Sequence, residues 1–345
     1  MHTALYRKYR PTAFSEVKDQ DHIVSVLEGA IAKKQIPHAL LFAGGRGTGK
    51  TTLARIFAQE LGTKDVDVYE IDAASNRGID DIRELREAVH TVPYESTYKV
   101  YIIDEVHMLT KEAFNALLKT LEEPPAHVIF ILATTEEEKL LDTIRSRCQV
   151  FRFRSPSRAV LVDLACDVAK KEGYALEPAA AELVAIAADG SFRDALGIVQ
   201  KVLLASGDKI GSVDEVAAII GAPRHELLQQ VLISLRDKQV EAGLQAIQAA
   251  VQEHADMKLF VRLLLEQLRV VLLLRHAPGN SEVYLVHTSE VIHELVKEMA
   301  QPASKHINSQ TLLRFLAAAD QVGRSPVPHL PLELAIIDVA GVTAG

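Results

Sequence analysis

Gly44-Gly45-Arg46-Gly47-Thr48-Gly49-Lys50-Thr51 places the residue types of a polyphosphate cradle at the spacing G-x-x-x-x-G-K-[ST]. Glycines let successive backbone N–H groups turn inward around an anion, and a helix starting behind them adds partial positive charge. Lys50 is then placed to reach β- and γ-phosphates, and the Thr51 hydroxyl to ligate Mg²⁺. Downstream, Lys99-Val100-Tyr101-Ile102-Ile103 runs into two adjacent carboxylates, Asp104 and Glu105. Asp104 has the chemistry to hold a Mg²⁺ shell, directly or through water, and Glu105 to polarise an attacking water. Taken singly, each stretch has an ordinary reading, as a glycine turn with a chance lysine or as solvated acids at a strand end. In this order they read as the site of a nucleoside triphosphate.

Both motifs need strands that end in them. Ala39–Ala43 is an apolar run ahead of the glycines, and Leu53–Ala58 behind them has a helical apolar face. Val68–Ile71, Lys99–Glu105, Val128–Ala133 and Gln149–Phe153 read as further strands. Helices are expected over His22–Lys33, Ile79–Val89 and Thr110–Leu121, the last stopped by Pro124-Pro125. Strands without polar alternation are covered on both faces, so the fold class is α/β, a five-stranded parallel sheet flanked by helices. From about Ser157 the strand signals fade. Helices over Ser157–Glu172, Pro178–Ala188 and Phe192–Ala205 form a small unit, and the region from about Val213 to Gly345 is all helical.

With 345 residues the chain exceeds one ordinary core, so two or three domains are expected. A net charge of −8 argues against a generic basic nucleic-acid binder, so any DNA contact must come from a local surface or from several subunits. Two cysteines, Cys148 and Cys166, suit a reducing cytoplasm and supply neither a disulfide framework nor an ordinary zinc site. The opening residues lack the apolar core of a signal peptide. Leu259–Leu274 is the most apolar window, but Arg262, Glu266 and Arg269 recur in it at helical spacing, which marks an amphipathic helix rather than a membrane span.

Further stretches carry a family resemblance: Tyr9-Arg10-Pro11, Glu70-Ile71-Asp72-Ala73-Ala74-Ser75 and Val106-His107-Met108-Leu109 directly after the two carboxylates. To these add Phe114 to Pro125, Leu132-Ala133-Thr134-Thr135, Ser146-Arg147-Cys148 and Gly190 to Leu196. With the phosphate loop, this set resembles the gamma/tau family of bacterial DNA polymerase III clamp loaders, within the AAA+ ATPases. The resemblance implies an AAA+ nucleotide-binding domain over 1–155, a helical lid over 156–210 and a helical collar over 211–345. It implies that ATP and Mg²⁺ are bound at Gly44 to Thr51 with Thr52; the basic, aromatic N-terminal arm with Arg10 and Pro11 is by itself a solvated arm, and next to such a site covers the nucleotide base. Thr135 matches sensor 1, Arg193 matches sensor 2, and Arg147 matches an arginine finger that enters a neighbouring subunit's site.

The same resemblance implies a cytoplasmic ring with delta and delta-prime subunits and further copies of the chain, acting on a sliding clamp and primed DNA and not on a membrane. For DNA the candidates are Arg77 and Arg83, and for the clamp Val92, Pro93 and Tyr94; ordinary surface is the alternative for both groups. The collar's apolar faces, such as Leu263, Leu264, Leu268 and Val271, either join the ring or pack internally. Most bacterial members insert a four-cysteine zinc module after the phosphate-loop helix. Here only Leu61 to Asp67 bridges that gap, so no zinc is expected. The extent matches the three-domain, gamma-like portion. Another AAA+ DNA-processing ATPase, or a catalytically silent ring scaffold, are the competing readings; intact Lys50, Asp104 and Glu105 speak against the scaffold.

Overall fold

The computed structural model describes residues 3–76, 78–205, 210–280, 284–285, 290–301, 304 and 306–341. The chain forms two compact units, Met1–Val168 with Ala188–Gln200, and Ala169–Ala187 with Lys201–Gly345.

In the first unit, α1 (Leu5–Lys8) and α2 (Asp21–Ala32) precede β1 (Ala39–Ala43) and α3 (Lys50–Glu60). There follow β2 (Val68–Asp72), α4 (Ile79–Val89), β3 (Lys99–Asp104), α5 (Lys111–Glu122), β4 (Val128–Thr134), α6 (Asp142–Arg145) and β5 (Gln149–Arg152). The five strands make one parallel sheet in the order β2-β3-β4-β1-β5. Alternate residues of the buried strands feed opposite faces. Leu41, Tyr101, Ile103, Phe130 and Leu132 pack with Ile82, Leu85, Leu117 and Leu121 of α4 and α5. Leu40, Phe42, Val100, Ile102 and Ile131 pack with Leu27 of α2 and Leu53, Ile56 and Phe57 of α3. Helices on both faces explain why these strands lack polar alternation. Ala43 lies level with Thr134 and Arg152, so the ends of β1, β4 and β5 are aligned where such sheets carry their sites.

Helix boundaries fall within a residue or two of those expected. The strand β3 stops one residue early: Asp104 ends it, and Glu105 takes a left-handed backbone (φ 48°) that no β-strand accommodates.

After α3 the chain turns at Gly62 into a short 3₁₀ segment, Asp65–Asp67. The Asp67 carboxylate is fully buried and accepts backbone N–H bonds from Tyr94, Glu95 and Ser96 at 2.5, 2.9 and 2.8 Å. Nearby, buried Lys99 donates to the Ala88 carbonyl and the Thr91 hydroxyl, and its ammonium lies 4.9 Å from the Tyr69 ring centroid. The loop after α4 is therefore pinned from beneath at both ends. Burial opposes ionisation of Asp67, but the three N–H donors outweigh it and hold its carboxyl below the usual range. A depressed carboxyl stabilises the fold above its unfolded pKa of about 3.9, and loses that contribution as pH falls through the lower folded value. Asp67→Ala is expected to cost about 2–4 kcal/mol in urea melts at neutral pH, because three donors lose their acceptor. That deficit should shrink as the unaltered chain is acidified below about pH 4.

The second unit holds α8 (Pro178–Ala187), a two-stranded parallel pairing of β6 (Ala175–Leu176) with β7 (Ile210–Gly211), and α10 (Val213–Ile220). Its main core gathers α11 (His225–Asp237), α12 (Val240–Gln252), α13 (Met257–His276), α14 (Glu290–Ala300), α15 (Ser309–Val322) and α16 (Leu330–Ala340). Leu264, Leu268 and Val271 are fully buried in that core and Leu263 packs against it, so this face of α13 packs internally. Arg275, near the end of α13, donates to the carbonyls of Met299, Ala300, Ser304 and Ile307. Those bonds satisfy acceptors left over where α14 ends. Among the described residues, no helix is long and apolar enough to cross a membrane. The two remaining helices, α7 (Arg158–Lys171) and α9 (Phe192–Ala205), carry chain of both units.

Candidate active site

The phosphate loop leaves β1 and enters α3, as its spacing requires. Gly49 caps α3 with φ 100°, a backbone that an L side chain would strain. At Gly47 the constraint is also one of space. Its φ is 71°, a Cβ there would lie 2.0 Å from the Ser191 hydroxyl, and its carbonyl accepts the Phe192 N–H at 3.0 Å. This close approach seats the segment Gly190–Arg193 against the loop. Arg193 is exposed there, its guanidinium 5.9 Å from the Tyr6 ring centroid.

Lys50 is almost fully buried, and its ammonium donates to the carbonyls of Gly44 and Gly45 at 2.8 Å each. Burial lowers its pKa; the charges of Glu105 and Asp104 act against that, and Arg193 adds to it. The Thr51 hydroxyl donates to one Asp104 oxygen at 2.7 Å, and the other oxygen accepts the Glu105 N–H at 3.0 Å. Thr48 donates to the Gly45 carbonyl at 2.9 Å, which closes the loop on itself. Arg46 is exposed and Thr52 half-buried in the first turn of α3.

The left-handed turn at Glu105 swings its side chain toward the tip of β4. One carboxylate oxygen accepts the Thr135 hydroxyl at 2.9 Å and the Thr135 N–H at 3.3 Å. Thr51 with Asp104, and Glu105 with Thr135, are thus joined by hydrogen bonds where β3 and β4 end, with Lys50 next to Thr51 at the start of α3. The donor set fits a magnesium triphosphate. A hydroxyl and a carboxylate sit within bonding distance of each other, beside a buried ammonium that has only carbonyl partners.

Arg10 and Pro11 follow α1 and are half-buried. Burial holds Arg10 below its usual range, as do the neighbouring charges of Arg55, Arg193 and Arg7, while Glu70 opposes them. Glu70 is itself paired with Arg55 at 2.5 Å. This cationic cluster has one nearby carboxylate to offset it, and an anion is its chemical complement.

Arg147 belongs to a different constellation. It donates to the Glu122 carboxylate at 2.5 Å, to the Thr143 carbonyl at 2.8 Å and to the Ser146 hydroxyl at 3.4 Å, none of them a phosphate-loop residue. Its neighbour Cys148 is pushed up to about 11 by burial, which leaves the thiol protonated and unreactive. Arg83 is exposed and pairs with Asp80 at 3.0 Å. Arg77 lies outside the described residues. Val92 and Tyr94 are exposed at the tip of the pinned loop, with Pro93 half-buried between them.

Sequence reasoning did not single out Asp67, Glu122, Glu136 or His107. Acids occur throughout the chain, and no spacing signal marks these three. His107, two residues after the Asp-Glu pair, Glu122 and Asp67 do lie in stretches named above, but no spacing marks them within those stretches.

Three family models match in succession: "DNA polymerase III, delta subunit" over residues 62–157, "DNA polymerase III clamp loader subunit, ATPase lid domain" over 164–207, and "DNA polymerase III subunits gamma and tau domain III" over 212–344. The tau subunit of DNA polymerase III from Bacillus subtilis is 40% identical over 322 residues, covering 87% of this chain and 57% of that protein. The gamma/tau subunit of Mycobacterium tuberculosis strain H37Rv is 35% identical, covering 96% of this chain and 61% of that protein. For the tau subunit of Escherichia coli K12 the figures are 35%, 95% and 53%, so the chain spans little more than half the length of these relatives. Among solved structures, the RuvB Holliday junction branch migration motor of Thermotoga maritima superposes with a TM-score of 0.53 at 23% identity, over 66% of this chain and 79% of that one. That likeness speaks to the fold alone. With three consecutive models and relatives 35–40% identical over most of its length, the chain belongs to the gamma/tau family of DNA polymerase III clamp-loader subunits.

Proposed function

We propose that the chain is an ATPase subunit of a bacterial clamp loader, in which ATP binding and DNA-triggered hydrolysis drive a sliding clamp onto primed DNA during replication. The observation that carries this reading is the division of the site. Cradle, general base and sensor converge in one chain, while Arg147 is bonded elsewhere, to Glu122, Thr143 and Ser146.

Residues Gly44 to Thr52 hold the triphosphate of ATP, with Arg10 and Pro11 beside the nucleotide and Arg193 reaching it from Gly190–Arg193. Thr51 and Asp104 would hold Mg²⁺, which would supply charge neutralisation to the phosphates. Glu105 takes up a proton from the attacking water, and Thr135 sets the direction of that carboxylate. Arg147 of one copy completes the site of the next subunit, so hydrolysis depends on assembly.

The ring contains delta and delta-prime subunits with further copies of this chain, working in the cytoplasm. ATP held between subunits favours the assembly that keeps the clamp open; once the γ-phosphate is lost that preference ends and the clamp closes on DNA. Residues 1–155, 156–210 and 211–345 act as nucleotide-binding domain, lid and collar. Leu313 and Leu316 on α15, with Leu330, Leu334 and Ile337 on α16, leave exposed apolar side chains suited to collar contacts. Val92, Pro93 and Tyr94 face the clamp, and Arg77 and Arg83 grip DNA phosphates.

The direct test is the ATPase rate of the reconstituted ring with and without clamp and primed DNA. A rate that rises only when both are present is expected. An isolated chain that hydrolyses ATP at the full stimulated rate would sink the reading.

A further inference from the structure

His107 is not accounted for by the proposed site residues, yet its side chain is only 7% exposed and touches the general base. It sits in the 3₁₀ turn Val106–Met108 that follows Glu105. Its Nε2 lies 3.1 Å from a Glu136 carboxylate oxygen, which also takes the Lys139 ammonium at 2.6 Å. Its Nδ1 lies 3.0 Å from the hydroxyl of fully buried Thr134 and 3.5 Å from the Glu105 oxygen that Thr135 holds.

Donor and acceptor chemistry places a hydrogen on Nε2 and accommodates a bare Nδ1. The hydrogen bond from Lys139, with the charges of Lys139 and His107, keeps Glu136 below the usual carboxylate range against the opposing effect of burial, so Glu136 only accepts and Nε2 must donate. The Thr134 oxygen already accepts the Glu136 N–H at 3.0 Å, which leaves its own hydrogen free to go to Nδ1. Every group is satisfied when hydrogen sits on Nε2 and Nδ1 is bare. A hydrogen on Nδ1 would instead point a donor at the same Glu105 oxygen that Thr135 holds.

We propose that His107 is a positioning residue for hydrolysis: with Nε2–H committed to Glu136 and Nδ1 accepting from Thr134, it leaves the Glu105 oxygen to Thr135 and so fixes the direction of the general base. The proposal rests on the reading of Glu105 as the general base. Glu136 and Lys139 lie just past the sensor tip of β4, so the hydrogen on Nε2 is fixed there and the effect is read at Glu105.

The test compares His107→Ala, His107→Asn and Glu105→Gln in the reconstituted loader. It measures single-turnover ATP hydrolysis, ATP affinity, and the ¹⁵N signature of the His107 ring in the unaltered full chain. His107→Ala should slow hydrolysis by about 10- to 100-fold, the scale of a misplaced catalytic group, with ATP affinity nearly unchanged. In His107→Asn, the amide oxygen can take the place of Nδ1 as acceptor from Thr134, so most of the rate should return. The ring spectrum should show Nε2–H with an unprotonated Nδ1. An unchanged rate in His107→Ala, a rate lost in step with ATP affinity, no recovery in His107→Asn, or an Nδ1–H ring each overturns the proposal. If Glu105→Gln hydrolyses ATP normally, the reading of Glu105 falls first and takes this one with it; if Glu105→Gln is dead while His107→Ala is unimpaired, only this one falls.

Discussion

Arg147→Ala is expected to bind ATP as the unaltered chain does, yet to lose about 10³-fold or more of the clamp- and DNA-stimulated hydrolysis rate once assembled. A guanidinium laid against the γ-phosphate neutralises charge that develops during transfer, and its planar fork does so with two hydrogen bonds that a lysine cannot reproduce. In this chain Arg147 rests on Glu122, with both side chains a third to a half exposed. Such a pair is worth only about 0.2–1 kcal/mol, whereas a finger seated on a phosphate is worth roughly 4–7 kcal/mol at the transition state. If Arg147 acts as proposed, the Glu122 pair is too weak to hold it from a phosphate, and Glu122→Gln should change the stimulated rate by no more than a few-fold. The measurement is single-turnover hydrolysis in the reconstituted ring, with nucleotide affinity determined alongside. An Arg147→Ala ring that still responds to clamp and DNA would show that the arginine completes no neighbouring site.

Lys50→Ala should abolish the binding step itself, with ATP affinity falling by at least about 100-fold. The ammonium has been taken out of water and has two backbone carbonyls for company. Charge-assisted hydrogen bonds in such surroundings contribute about 1.5–3 kcal/mol each, and a triphosphate offers more than one. Lys50→Arg should not restore binding, because a planar fork does not fit a slot in which one nitrogen sits 2.8 Å from both carbonyls. Equilibrium titration with a fluorescent ATP analogue checks both variants. Near-normal affinity in Lys50→Ala would mean that the loop is not the phosphate cradle. The two experiments separate what each chain does alone from what it does for its neighbour.

The sequence by itself determined the sheet and the position of the cradle. Its continuous apolar strands could be buried only between two layers of helices, and the spacing of Gly44, Gly49, Lys50 and Thr51 is a local property of one loop. Asp104 and Glu105 were legible because they end an apolar strand that follows a phosphate loop in the order such sites require. Contacts decided by the tertiary structure were not legible. Glu105 turns out of β3 with a left-handed backbone to meet Thr135, thirty residues on; that turn is held from β4 and leaves no trace in the residue type. Arg147 meets Glu122 across twenty-five residues, and Asp67 anchors Tyr94, Glu95 and Ser96 from nearly thirty residues away. Those partners are common acids whose function depends on what the sheet brings within 3 Å of them. Hydrophobic periodicity and loop chemistry are local and can be read along the chain; hydrogen-bond partnership is set by strand order, which only the folded sheet reveals.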